Sequence, residues 1–178
     1  MESFEIVNCG PYRFIGKAMF VRAGKSDALC GALFEKYSDW VFETLDGMKE
    51  YASDAPHNAA FLDWSRYDQK NGLMGYTIGR FMKADTPVPE DMDYIDIPAG
   101  FIAKVFIEGD VEGDVTGDAC KMLRDEIKRL DIYRPSRKLW WSAEIYPKPD
   151  ENGVSHIGYY ESYELKGRKG NWLKRKQK

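Results

Sequence analysis

Metal, redox and phosphate chemistry find little to work with in this sequence. It holds two histidines, His57 and His156, and three cysteines, Cys9, Cys30 and Cys120. The histidines stand far apart and form no HxxxH or HExxH, so no metal site is expected. The cysteines form no CxxC, and their odd number and wide spacing fit reduced thiols, each a small buried apolar residue. Gly109, Gly113 and Gly117 lie in an acidic run that repels phosphate, which removes the one glycine-rich candidate for a phosphate loop. No serine or cysteine sits in a recognisable nucleophile motif. No run approaches the roughly 20 apolar residues that span a bilayer. The start, Met1-Glu2-Ser3-Phe4-Glu5, is acidic and lacks the build of a signal peptide. The expected compartment is the cytoplasm, with no membrane partner and no cofactor.

What is present is ring and charge. The 178 residues fit one domain, and 43% hydrophobic with 31% charged residues excludes wholesale disorder. Five Trp, eleven Tyr and nine Phe are more rings than a core of this size calls for, so some are expected to line a surface that meets a ligand. Lys166 to Lys178 carries seven basic residues and no acid, which leaves 19 basic against 29 acidic residues, a net of −10, in residues 1–165. An acidic body attracts cations and repels nucleic-acid backbones. With no helix-turn-helix, zinc-finger or RNP pattern, no direct nucleic-acid contact is expected. The tail at 166–178 is either an anion-binding arm or a solvated terminus.

The order of elements repeats. Phe4 to Arg22 reads as extended chain broken at Gly10-Pro11. Leu29, Leu33, Tyr37, Trp40, Val41, Thr44, Leu45 and Met48 then trace a helical stripe that ends before Asp54. Strands are expected over Ala59 to Tyr67 and Leu73 to Phe81, joined by a tight turn at Asn71-Gly72. After a Pro- and acid-rich link, Tyr94 to Ile107 is strand-like and bent at Pro98-Ala99-Gly100. Val115 to Leu130 forms a second helical stripe. Leu139 to Tyr146 and Ile157 to Leu165 close the set, with Asn152-Gly153 at their turn. The expectation is an α+β fold: a pseudo-twofold tandem of two β-α-β-β units (about 4–83 and about 92–165) in one domain of residues 1–165, with antiparallel sheet and a central ligand cleft.

The second hairpin carries the chemistry. On a strand, Trp140, Ser142, Glu144 and Tyr146 share one face, while Trp141, Ala143 and Ile145 form an apolar face suited to a core. Glu144 is therefore expected beside rings on the face opposite the core. A carboxylate among aromatics protonates or pairs with a cation. A flat, cationic ligand meets both the charge and the rings; a solvent-exposed Glu144, or one paired to the protein's own Lys or Arg, is the alternative. Tyr37, Trp40, Trp64 and Tyr76 are further candidates for the cleft or for the core.

Ile97-Pro98-Ala99-Gly100-Phe101-Ile102-Ala103 resembles the "IPAG-x-[YF]-A" strand of the GyrI-like domain, the small-molecule-binding module of AraC-type and MerR-type multidrug regulators. Glu144-Ile145-Tyr146-Pro147 resembles that family's "ElYP" strand, and Gly158 to Tyr163 its closing strand. The resemblance implies a tandem of two strand-helix-strand-strand units around a cleft whose floor carries the counterpart of Glu144, facing cationic lipophilic compounds. The family also includes a stand-alone gyrase inhibitor and hydrolases of cyclopropane-bearing cytotoxins. Three functions are thus expected in order: a stand-alone binder of amphipathic, cationic or aromatic small molecules; a hydrolase with Glu144 as general base and catalytic residue; and a regulatory partner of a transcription or topoisomerase protein. A monomer or a homodimer fits each of them.

Overall fold

The computed structural model describes residues 3–22, 27–109 and 115–167. Most of the 166–178 tail, including Trp172, lies outside them. The elements run β1 (Ser3–Cys9), β2 (Tyr12–Arg22), α1 (Asp27–Asp46), a 3-10 turn (Lys49–Tyr51), β3 (Asn58–Asp68), β4 (Leu73–Lys83), β5 (Asp93–Ile97), β6 (Gly100–Glu108), α2 (Val115–Leu130), β7 (Tyr133–Pro135), β8 (Trp141–Tyr146) and β9 (His156–Leu165). The result is α+β, with the described strands joined in one antiparallel nine-stranded sheet.

The strand order is β1-β6-β9-β8-β3-β4-β2-β5, with β7 added on β9. β8 and β3 meet in the middle. Strand β1, from the start of the chain, pairs with β6, and β5 pairs back onto β2, so each end of the sheet is closed by a strand from the other half of the chain. The two Asn-Gly turns are built alike. Asp68 Oδ1 accepts the Lys70 and Asn71 amides, and Asp150 Oδ1 accepts those of Asn152 and Val154. Gly72 and Gly153 then take φ of 65° and 77°, a left-handed conformation that glycine adopts without strain.

Both faces of the sheet are packed, which corrects the expectation of one core face. On one face Phe14, Phe61, Phe81, Trp141, Ala143, Ile145 and Tyr160 form a core of rings, with Phe61 stacked on Trp141 at 5.2 Å. On the other, α1 lays Leu33, Val41 and Leu45 over Ile15, Ala60, Leu62, Tyr76 and Ile78. Helix α2 lays Ala119, Leu123 and Ile127 over Ala103, Val105, Tyr159 and Tyr163 of that same face. Glu144 thus sits on a helix-covered face, on the strand between the two helix-packed cores. Helix α1 ends at Asp46, before Asp54 as expected though short of Met48, and one further reading is corrected: Leu29 and Trp40 of its expected stripe are exposed.

Candidate functional site

Strand register brings the central residues together. Glu144 pairs with Ala60 of β3 on one side and Tyr159 of β9 on the other; Ser142 pairs with Leu62 and Glu161. Cross-strand partners point to one face, so Trp140, Ser142, Glu144, Tyr146, Tyr159 and Glu161 all project toward the helices. The half-buried Glu144 accepts a 2.5 Å hydrogen bond from the Tyr146 hydroxyl through Oε2. Burial, and then the Glu144 charge, push the Tyr146 phenol well above its ordinary value near 10. The same two causes raise buried Tyr76 on β4. Both phenols therefore stay protonated at neutral pH and serve as polar rings rather than as anions.

The indoles are held by hydrogen bonds. Trp64 Nε1 donates to Ser142 Oγ at 2.8 Å, and Trp140 Nε1 donates to Glu161 Oε1 at 2.9 Å. Their rings lie 5.8 Å apart, tilted by 31°. Phe34 of α1 meets the Tyr146 ring edge-on at 5.6 Å. The ensemble is a carboxylate with a phenol bonded to it and a second phenol in its field, an indole pair from β3 and the approach to β8 further along the same face, and a phenylalanine above. It can attract a positive charge to Glu144 and offer ring faces to an apolar body.

Of the sequence candidates, Trp64, Tyr76, Trp140, Glu144 and Tyr146 belong to this ensemble. Tyr37 and Trp40 do not: they occupy the other flank of α1. The Tyr37 ring lies 5.9 Å from Lys17 Nζ on β2, three strands away from β8, and Trp40 is 40% exposed with its ring 6.4 Å from Tyr37. At about 4.8 Å per strand that is about 14 Å of sheet. Helical spacing placed both residues on the stripe; α1 turns Leu33, Val41 and Leu45 to the sheet, which leaves Tyr37 at one edge of that core and Trp40 exposed beyond it.

The sequence reading passed over Phe34, Tyr159 and the second carboxylate, Glu161. Glu161 is 1% exposed and fully engaged: Arg124 Nε and Nη2 of α2 donate at 3.0 and 3.3 Å, and Tyr163 OH at 3.0 Å. The only advance signal for it was its position in the Gly158–Tyr163 segment. Asp63 of β3 is enclosed on the opposite face beside Gly75, where its Oδ1 accepts from Ser65 N and Oγ. Its Oδ2 lies 3.1 Å from Arg66 Nε without hydrogen-bond alignment. Among the described residues no group of His, Cys, Asp and Glu converges as a metal site, and no helix is long and apolar enough to cross a membrane.

No family model and no curated protein matches the chain. Solved structures do. The fold is similar to that of SAV2435 bound to tetraphenylphosphonium, with TM-score 0.64 and 12% identity over 93% of this chain and 94% of that one. It is similar as well to a protein of Staphylococcus aureus MU50 described as a transcription regulation protein, with TM-score 0.62 and 14% identity over 93% and 99% of the two chains. An integron cassette protein of Vibrio cholerae follows at TM-score 0.51 and 10% identity, covering 92% and 97%. At these identities the likeness is one of fold: this chain shares the architecture of a protein that has been solved with a lipophilic cation bound.

Proposed function

We propose that this chain is a GyrI-like protein that binds lipophilic cations over strand β8, in a cleft between two β-α-β-β repeats, with Glu144 supplying the charge and Tyr76, Tyr146, Trp64 and Trp140 the apolar contact. The observation that carries the reading is the position of Glu144: a half-buried carboxylate on a central strand of the sheet, between the two helix-packed cores, bonded to the Tyr146 phenol and close enough to Tyr76 to act on its phenol, with the Trp64–Trp140 pair further along the same face. The strand order, read as β6-β9-β8 and β2-β4-β3 from either side of the centre, supports the two-repeat reading. The fold shared with SAV2435 supports the ligand class. A carboxylate in this setting discriminates by charge, since the rings bind neutral and cationic surfaces alike.

The test is titration with tetraphenylphosphonium, followed by calorimetry and by quenching of tryptophan emission. At a separation of about 5–6 Å and an effective dielectric of about 20, a unit charge pair is worth about 3 kcal/mol, of which screening leaves about 2. Glu144→Gln keeps the shape and the Tyr146 hydrogen bond, so it is expected to weaken binding about thirtyfold. Equal affinity in wild type and Glu144→Gln refutes the assignment.

A further inference from the structure

At the end of the helix-covered face beyond Tyr146, a cavity of about 580 Å³ opens between the last turn of α1 and strands β3, β4 and β8. Its wall includes apolar Leu45, Met82 and the Tyr146 ring, and its charged groups are Asp46, Lys49, Arg80 and Lys148. Three cations face one carboxylate there, in a chain whose first 165 residues are net acidic. His57, also in the wall, adds no charge at neutral pH, because burial and then the charges of Arg80 and Lys104 hold it below its ordinary value.

The charges converge. Arg80 Nη1 donates to Asp46 Oδ1 at 2.7 Å, and Nη2 donates to Asn58 Oδ1. Lys148 and Lys49 also act on the Asp46 carboxyl, which Arg80 holds below the usual carboxylate range. Arg80 is buried, and its Nε has no acceptor among the described residues. A guanidinium presents five N–H donors, and two of them are hydrogen-bonded to side chains among the described residues. Asp46, in contrast, is 53% exposed and sits at the mouth of the cavity. The negative end of α1 accounts for one nearby cation; three around a single exposed carboxylate leave an excess of positive charge.

We propose that this cavity is a binding site for a small organic carboxylate, whose head group takes the Arg80–Lys49–Lys148 cluster in place of, or beside, Asp46 while its apolar body rests on Leu45, Met82 and Tyr146. The site is separate from the Glu144 ensemble, with Tyr146 as the residue common to both. A planar guanidinium suits a carboxylate head, and the apolar part of the wall suits an acid that carries a ring or chain rather than a bare ion.

Sodium benzoate is the probe, titrated into the full-length protein at constant ionic strength and followed by calorimetry and amide chemical shifts, with acetate and inorganic phosphate as parallel arms. Saturable benzoate binding, tighter than either other anion, is expected. Lys49→Gln/Lys148→Gln removes two exposed charges and should weaken it about fivefold, at about 0.5 kcal/mol each. Asp46→Asn removes the competing carboxylate and should tighten it. Opposite signs from neighbouring surface substitutions are not produced by misfolding. Glu144→Gln removes a negative charge beside the shared Tyr146, so it should not weaken benzoate binding while it does weaken tetraphenylphosphonium binding, which separates this site from the cation site. No saturable benzoate binding, an Asp46→Asn and a double-lysine variant both indistinguishable from wild type, or phosphate bound more tightly than benzoate would each overturn the proposal.

Discussion

Arg124→Met removes the cation that faces the most deeply buried carboxylate on the helix-covered side of the sheet, and its cost can be worked from the contacts. Glu161 is 1% exposed and accepts from Arg124, Trp140 and Tyr163. Removing one partner of a fully buried ion pair costs about 3–5 kcal/mol, because the other charge is left in the interior. Two facts reduce this. The Arg124 side chain is 45% exposed, so water already screens the pair, and the Trp140 and Tyr163 donors remain. The expected loss is about 2–3 kcal/mol. In urea, with a slope of about 2 kcal/mol per molar, the midpoint should fall by about 1 M at unchanged slope. Adding Glu161→Gln removes the stranded charge while still accepting from Trp140, so the double variant should recover more than half of the loss, a non-additivity expected of contacting groups. A loss below about 1 kcal/mol for Arg124→Met, or a double variant worse than the single, refutes the reading of Glu161 as a charge held in place by Arg124.

Two further outcomes concern backbone and pH. Gly16 and Gly79 face each other where β2 meets β4; a Cβ on Gly16 would lie 1.8 Å from the Ile78 carbonyl oxygen, and one on Gly79 2.0 Å from that of Ile15. Either glycine replaced by alanine should cost at least about 3 kcal/mol by thermal unfolding, whereas Gly31→Ala, on α1 with open space around it, should stabilise by about 0.5–1 kcal/mol. His57 is held below its ordinary value of 6.5 by burial and then by the charges of Arg80 and Lys104. The unfolded chain therefore binds its proton first, so stability falls as pH drops below about 6.5, and His57→Gln should flatten that decline when unfolding midpoints are compared between about pH 7 and 5.

Local pattern made most of the elements legible, and long-range pairing hid the rest. The α2 stripe, the bend at Pro98-Ala99-Gly100 and the two Asn-Gly turns are written within a few residues each, and the turns owe their shape to Asp68 and Asp150 immediately upstream. The alternation Trp140-Ser142-Glu144-Tyr146 likewise holds as one face of β8 and its approach. Three features depend on partners remote in sequence. A second packed face arises because β1 and β5 extend the sheet across the chain's halves while both helices settle on one side. The Arg124–Glu161 pair joins a helix to a strand 37 residues on. The flank occupied by Tyr37 and Trp40 depends on how α1 is rolled against the sheet: Phe34, about a third of a turn around the helix from Trp40, is the residue that reaches Tyr146. Spacing names a stripe about 100° wide and leaves its edges undecided.

The placement of Glu144 on a strand between two helix-packed cores is the centre of the account, and a crystal structure of the protein with tetraphenylphosphonium tests it most directly. The phosphorus is expected within about 6 Å of the Glu144 carboxylate, the range over which ring and charge attraction both act, with phenyl groups against Tyr146 and the Trp64–Trp140 pair. A cation bound instead over Tyr37 and Trp40, or in the basic cavity beside Arg80, contradicts it.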